Sequence, residues 1–394
     1  LIGYGDSTVW LVVAAFLIAD GVILTGFGKR VALLLVTRLG KSSLGLGYAI
    51  CAAELVLGPV VPSNTARGGG VLAPIVNSLS RALGSKPSDN PERAGRYLVL
   101  VGAHANLITA AMFLTGMAAN PLAAKGIEEL TGIEFGWGTW ALGAIVPGLI
   151  GLALLPKFMQ WFAKPNMKDG HLAVEEAQRQ LSSMGSKLSR NEWIMTGVLV
   201  GMLLLWSTKA WHGMGSTLVA WIGVCVLQLG RAQTWDDLIG NSRAWDTLLW
   251  LGGLLTMAIL LKDYGFIEGF VHFVKSMTGG LNSLSVLLLV GLIYFFSMYL
   301  FSMLTAHISA MITPFLAVAL SSGSSPLMAG AMFAYFSCLC GCLTNYSTGP
   351  VIIYYGLGYV KAPKWFSIGF VMSLFHLVIW LGIGSLWWKV LGWW

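Results

Sequence analysis

Four short polar knots interrupt otherwise apolar stretches of the chain. The first is Ser63-Asn64-Thr65, closed by Arg67; the second is Thr115-Gly116 with Asn120; the third is Thr305-Ala306-His307; the fourth is Thr344-Asn345 with Ser347 and Thr348. Hydroxyl and amide donors of this kind bind carboxylate oxygens without a large permanent charge. Pro59, Pro62 and Gly68-Gly69-Gly70 bracket the first knot, Pro121 follows the second and Gly349-Pro350 follows the fourth. A helix that restarts after such a break turns the free N–H groups of its first turn, and the positive end of its dipole, into the gap. That arrangement favours an anion.

The knots carry two basic side chains, Arg67 and His307. Arg67 has a guanidinium fork that matches a carboxylate bidentately, which favours a substrate-facing role; the competing reading pairs it with Glu54 in the preceding apolar arm. His307 holds the matching place in the second half, where a protonated ring would add a second positive charge for a dianion. His104, His272 and His376 read as structural. A single polar knot would most simply satisfy backbone at a kink or join helices; four in repeat order favour a binding site.

Enzyme chemistry finds little footing. The apolar regions carry no paired carboxylates and no Cys/His metal spacing, and Asp20 and Glu54 lie far apart in sequence. On a helix, Cys338, Cys340 and Cys342 turn about 200° from one to the next, so their thiols do not converge. No catalytic residue, metal or cofactor is expected.

The elements that position these knots must be membrane helices. Of 394 residues, 56% are hydrophobic and 10% charged, with 17 Trp and 49 Gly, a balance that belongs to the membrane class. A span needs about 20 mostly apolar residues, and uncharged stretches such as Phe135–Leu155, Trp193–Ser207 with its flanks, and Phe366–Trp388 qualify. The fold class expected is an all-α polytopic membrane protein. The five cysteines, Cys51, Cys225, Cys338, Cys340 and Cys342, all lie in apolar segments, where they behave as small hydrophobes.

The net charge of +7 reports topology, not nucleic acid. Basic groups collect at Lys29, Arg30, Arg38 and Lys41; at Arg81, Lys86, Arg93 and Arg96; at Lys157, Lys164, Lys168, Arg179, Lys187 and Arg190; at Arg231 and Arg243; and at Lys361 and Lys364. If these share one side, that side holds 18 of the 24 Lys and Arg and is cytoplasmic. Lys125, Lys209, Lys262, Lys275 and Lys389 fall on the other side, and Arg67 stays inside the protein.

The chain also repeats itself at an offset of about 240 residues. Thr8-Val-Trp-Leu with Gly26-Phe27 is echoed by Thr247-Leu-Leu-Trp with Gly265-Phe266, and Ser42-Ser-Leu-Gly-Leu by Asn282-Ser-Leu-Ser-Val. Weak internal repeats with paired, broken apolar segments point to an inverted-repeat transporter. The first repeat is expected over 1–162, with a re-entrant hairpin at 42–84 and a broken helix at 94–130. A solvated cytoplasmic linker at 163–192 leads to the second repeat at 193–394, with its hairpin at 281–320 and broken helix at 326–360. Lys41, Arg81 and Lys86 at both ends of the first hairpin support re-entry over two full spans.

The strings Pro62-Ser63-Asn64-Thr65-Ala66-Arg67-Gly68-Gly69-Gly70, Phe113 to Pro121 and Thr344 to Tyr359 resemble the divalent anion/sodium symporter family. They are most similar to its dicarboxylate-exchanging branch of bacterial citrate or tartrate/succinate antiporters and plastid oxoglutarate/malate translocators. The resemblance covers nearly the whole chain. It implies a homodimer in membrane lipid with a scaffold at the interface and a transport domain of two opposed hairpins and two broken helices, moving as an elevator. It also implies about three further helices ahead of Leu1. The sodium-coupled branch carries Ser-Asn-Thr at both tips, whereas the third knot here is Thr305-Ala306-His307. Arg67 and His307 would then do the work of bound sodium, giving sodium-independent exchange of malate, oxoglutarate, succinate, tartrate or citrate, with sodium symport as the alternative. The expected setting is a bacterial cytoplasmic membrane or a plastid inner envelope.

Overall fold

A glycine of positive φ follows each of the two echoed helices, Gly26 in the first half and Gly265 in the second. In the computed structural model, which describes residues 2–167, 169–278 and 280–394, α1 (Ser7–Thr25) stops at Gly26 with φ 75° and the chain turns into α2 (Phe27–Leu39). Lys168 and the side chain of Lys262, both counted among the flanking charges, lie outside the described residues. Ser42 then caps α3 (Ser43–Leu57) by accepting from the Gly45 N–H, and the chain breaks at Gly58-Pro59. It resumes in a π-helical stretch, Thr65–Leu72, that runs into α4 (Ala73–Ala82). Next come α5 (Gly95–Met112), a break with a single 3-10 turn, α6 (Asn120–Thr131) and the long α7 (Trp137–Ala163).

The middle of the chain holds α8 (His171–Ser183), α9 (Arg190–Ser207), α10 (Lys209–His212), α11 (Ser216–Leu229) and α12 (Trp235–Gly240). Thereafter the first-half order returns. α13 (Ser242–Asp263) leads through Gly265, φ 74°, into α14 (Phe266–Met277). Asn282 caps α15 (Ser283–Phe296) from the position Ser42 holds in the first half. After a break come α16 (Leu304–Ser321), α17 (Pro326–Leu339), a second break, and α18 (Gly349–Gly356). The chain closes with α19 (Ala362–Leu377), a π-helical segment Val378–Gly384, and α20 (Ser385–Val390).

Seven helices among the described residues are long and apolar enough to cross a membrane. Their surroundings differ widely: 89% of the window Pro326–Leu343 is buried in protein, against 29% of Ser242–Leu261. Every residue of α5 except Arg96 is buried. α5 and α17 are therefore interior helices around which the others pack, which is why both can carry polar side chains. α1 packs on α9, α11 and α13, forming a second group beside this interior.

Two sequence expectations change here. The 163–192 linker, expected to be solvated, is exposed on one face and docked by the other: α8 buries Ala173, Val174 and Ala177 against α2 and α4, and Ser78 of α4 donates to Glu176 while Gln180 donates to Ser78. Arg30, read as a flanking charge in an inter-helix segment, lies on α2 and is buried. It pairs with Glu192 of α9 at 2.6 Å and donates to the carbonyls of Met184 and Gly185. A 3.6-residue apolar period hidden in a polar segment, and an acid 162 residues away, produce both differences.

Candidate binding site

Each hairpin tip is built by one side chain that turns back on its own first arm. Arg67 is fully buried, and its Nε lies 2.6 Å from Glu54 Oε2. Its remaining nitrogens donate to the carbonyls of Val61 and Gly116 and to Thr109 Oγ1. Glu54 also accepts from Asn106 Nδ2 and from Thr109 Oγ1. Glu54 thus matches the charge and four of the five guanidinium N–H groups are in use, so the structure shows the pairing that competed with the substrate-facing expectation for Arg67. Buried charge in hydrocarbon is tolerated when paired and hydrogen-bonded in this way.

His307 repeats the design without the charge. It is buried, its Nε2 lies 3.0 Å from the Tyr294 carbonyl and 2.9 Å from Ser297 Oγ, and the Tyr294 hydroxyl reaches Ser337 of α17. Its Nδ1 has no partner among the described residues. The separations agree: Arg67 meets Glu54 and His307 meets Tyr294, each thirteen residues earlier.

The remaining predicted residues divide by what their polar atoms do. Thr115 donates to the Pro59 carbonyl and accepts from Trp137 Nε1, Gly116 gives its carbonyl to Arg67, and Asn120 donates to Ala110 and Phe113 and accepts from the Cys338 thiol. The first broken helix therefore spends its polar groups internally. Ser63 Oγ accepts from the Ala66 N–H, and Ser347 donates to the Gly341 carbonyl.

The loop Thr344–Thr348 is where both tips meet. Asn64 Nδ2 donates to Thr348 Oγ1 at 3.2 Å, and the Leu304 N–H donates to the Ser347 carbonyl at 2.7 Å. Thr65 packs so closely on this loop that a Cβ at Gly349 would sit 2.4 Å from its Oγ1. Thr65, Thr305 and Asn345 are half-buried, and their side chains make no hydrogen bond among the described residues; the buried Thr344 Oγ1 is likewise unpartnered. The N-termini of α16 and α18 open beside them, and neither has a side-chain cap. The Leu304 N–H is taken by Ser347 and Pro350 has none, so the remaining first-turn N–H groups and the idle hydroxyl and amide groups are donors of the kind an anion can accept from.

Asn106 and Thr109 escaped the sequence reading, although Asn and Thr three residues apart on one face of an otherwise apolar helix are the available signal. Among the described residues, no group of His, Cys, Asp and Glu could hold a metal ion.

Comparison with known proteins agrees with this architecture. The model of the sodium:sulfate symporter transmembrane region matches residues 1–394. Dicarboxylate transporter 1 of Arabidopsis thaliana chloroplasts is 41% identical over 395 residues, covering 99% of this chain and 71% of that protein. The L-tartrate/succinate antiporter of Escherichia coli K12 is 34% identical over 394 residues, covering 98% of this chain and 80% of that protein. Among solved structures, the Alcanivorax borkumensis YdaH transporter matches in fold with a TM-score of 0.65 at 15% identity, over 100% of this chain and 88% of its own. The whole-length match and these relatives make the chain a multi-pass membrane protein and a transporter rather than an enzyme: it belongs to the sodium:sulfate symporter family, also known as the divalent anion/sodium symporters.

Proposed function

We propose that the chain exchanges small di- or tricarboxylates across a membrane, in the class of malate, oxoglutarate, succinate, tartrate and citrate. The observation that carries this reading is the convergence of both hairpin tips on Thr344–Thr348, with the side chains of Thr65, Thr305, Thr344 and Asn345 unpartnered among the described residues beside two helix N-termini that lack a side-chain cap. The carboxylate oxygens take their hydrogen bonds from these side chains and from the first-turn N–H groups. Ser63, Asn64, Ser347 and Thr348 shape the loop, while Arg67, Thr115, Gly116, Asn120 and His307 hold the tips and the first break in place.

Sodium-independent exchange draws its support from the likeness to an antiporter, not from a bare charge on Arg67, because Glu54 neutralises it. α3 has 15 residues, about 22 Å of helix, which falls short of a hydrocarbon core about 30 Å thick. That length supports a re-entrant first hairpin. Two opposed hairpins carried by the α5–α17 interior fit an elevator movement past the α1, α9, α11 and α13 group, in a lipid-embedded homodimer. The relatives place such carriers in bacteria and in chloroplasts.

Counterflow in proteoliposomes tests the reading. Uptake of labelled dicarboxylate should require an unlabelled anion inside and should ignore an imposed sodium gradient. Sodium-driven uptake into empty vesicles would assign symport instead, and no uptake with any member of a carboxylate panel would sink the anion reading.

A further inference from the structure

α7 and α19 leave between them an apolar groove of about 500 Å³ on the outer face of the bundle. The two helices run antiparallel: the Phe158 and Phe375 rings lie 4.7 Å apart, while Trp388 Nε1 donates to the Gly143 carbonyl. The walls are Leu154, Phe158 and Trp161 from α7 and Leu374 and Val378 from the opposite side. Leu154, Trp161, Leu374 and Val378 are 49%, 62%, 48% and 71% exposed in the protein alone. One charge stands in this lining, Lys157. It makes no ion pair among the described residues.

We propose that this groove is a specific site for one phospholipid with an anionic headgroup, its acyl chain lying along the groove and its phosphate on Lys157. The charge sits where such a lipid needs it. Lys157 stands about 9 Å inside the end of α7 at Ala163, within reach of the interface for a flexible four-carbon stem that lies along apolar surface while its ammonium reaches the headgroups. Trp161 is one turn nearer the same end, at a depth where an amphipathic ring settles. Lys364 in the first turn of α19 belongs to that end too, so the field there attracts an anion. A second copy of the chain fits less well, because a two-fold contact through this face would bring two copies of Lys157 together.

The test is native mass spectrometry of the whole protein, purified in mild detergent and equilibrated with equal phosphatidylglycerol and phosphatidylcholine. The protein should retain one lipid with a preference for phosphatidylglycerol. Lys157→Gln should reduce that preference about fivefold, the loss expected for one lysine at a membrane surface. Leu374→Trp, filling the groove, should remove the bound lipid, and Val378→Trp repeats this at the most exposed wall. Lys389→Gln, a charge elsewhere on the chain, should change nothing. An unaltered preference in Lys157→Gln, an equal loss in Lys389→Gln, or loss of a dimer instead of a lipid in Leu374→Trp would overturn the assignment.

Discussion

The two hairpin tips solve one problem with different chemistry. Each must hold a turn of irregular backbone deep in the protein, and each does so by sending the side chain that closes its knot back to the residue thirteen positions earlier. In the first tip the pair is Arg67 and Glu54, two charges 2.6 Å apart with Asn106 and Thr109 around them. In the second it is His307 and the Tyr294 carbonyl, a hydrogen bond of 3.0 Å with Ser297 beside it. In both, the arm residue also reaches the interior helix of its own half, α5 or α17. The repeat has kept the geometry of the anchor and exchanged its charge, so the basic residues of the knots secure the tips, and Thr65, Thr305 and Asn345 are the neutral ones on which the proposed anion site rests.

The largest effect should come from breaking the charged anchor. Glu54→Gln leaves the Arg67 guanidinium buried without a counter-ion, a loss of about 3–5 kcal/mol, seen as a lower melting temperature and less monodisperse protein in detergent. Replacing both, Glu54→Leu with Arg67→Met, removes the charges together and should recover most of that stability, since a buried pair contributes little over apolar groups of similar volume. If Arg67 instead met the substrate, the double variant would be stable and the single one would lose only affinity. His307→Gln, which keeps a donor for the Tyr294 carbonyl, should cost only about 1 kcal/mol.

A second pair of variants asks whether the tips contribute equally to binding. Thr65→Ala and Thr305→Ala each delete one free hydroxyl, and Asn345→Ala deletes an amide on the loop between them. A hydrogen bond to a charged group is worth about 1.5–3 kcal/mol, so each should raise the half-saturating carboxylate concentration about tenfold or more in counterflow, with the melting temperature unchanged. Equal losses at Thr65 and Thr305 would place the anion midway between the tips. A loss at Thr305 alone would assign it to the second half.

Gly349→Ala has a smaller and more local consequence. Its new Cβ would lie 2.4 Å from Thr65 Oγ1 and 2.8 Å from its Cγ2, so Thr65 must rotate or the first tip must withdraw. Counterflow should weaken, and Thr65→Ser in the same chain should restore part of it by removing the methyl group. No restoration would mean that the backbone at Gly349, not Thr65, is what the change disturbs.

How much of this was legible in the sequence follows from range. The breaks were, because Pro59, Pro62, Gly349 and Pro350 act on their own backbone; so were the halves, since Gly26 with Gly265 and Ser42 with Asn282 perform the same local task in each. Side chains whose partners are chosen by packing were less so. Arg67 offered two partners from sequence alone, and only the position of α5 settles that Glu54 and Thr109 take its donors while Asn106 binds Glu54. Thr115 and Asn120 looked equivalent to Thr344 and Asn345, yet their donors are taken up by Pro59, Ala110 and Phe113. The same polar string can be structural in one half and free in the other, depending on which carbonyls the neighbouring helices bring within reach.

The hairpins also differ in what holds their second arms, and this gives the smallest expected effect. α4 of the first hairpin is tied to the separate helix α8 through Ser78, Glu176 and Gln180, whereas the side-chain hydrogen bonds from α16 to other elements, among the described residues, are those of His307 to Tyr294 and Ser297 of its own hairpin. The hydrogen bonds from Arg179, and then those from Gln180 and Ser78, hold the Glu176 carboxyl at about 2, below its usual 4.5. A carboxyl depressed on folding stabilises the folded state above its ordinary value, and that contribution fades as the pH falls from about 4.5 toward 2. Arg179 is exposed, so solvent screens the pair and the contribution is small. The melting temperature should therefore decline slightly more steeply below pH 4.5 in the unaltered protein than in Glu176→Gln. Identical slopes would mean that the apolar face of α8, through Ala173, Val174 and Ala177, holds the first hairpin without help from the polar tie.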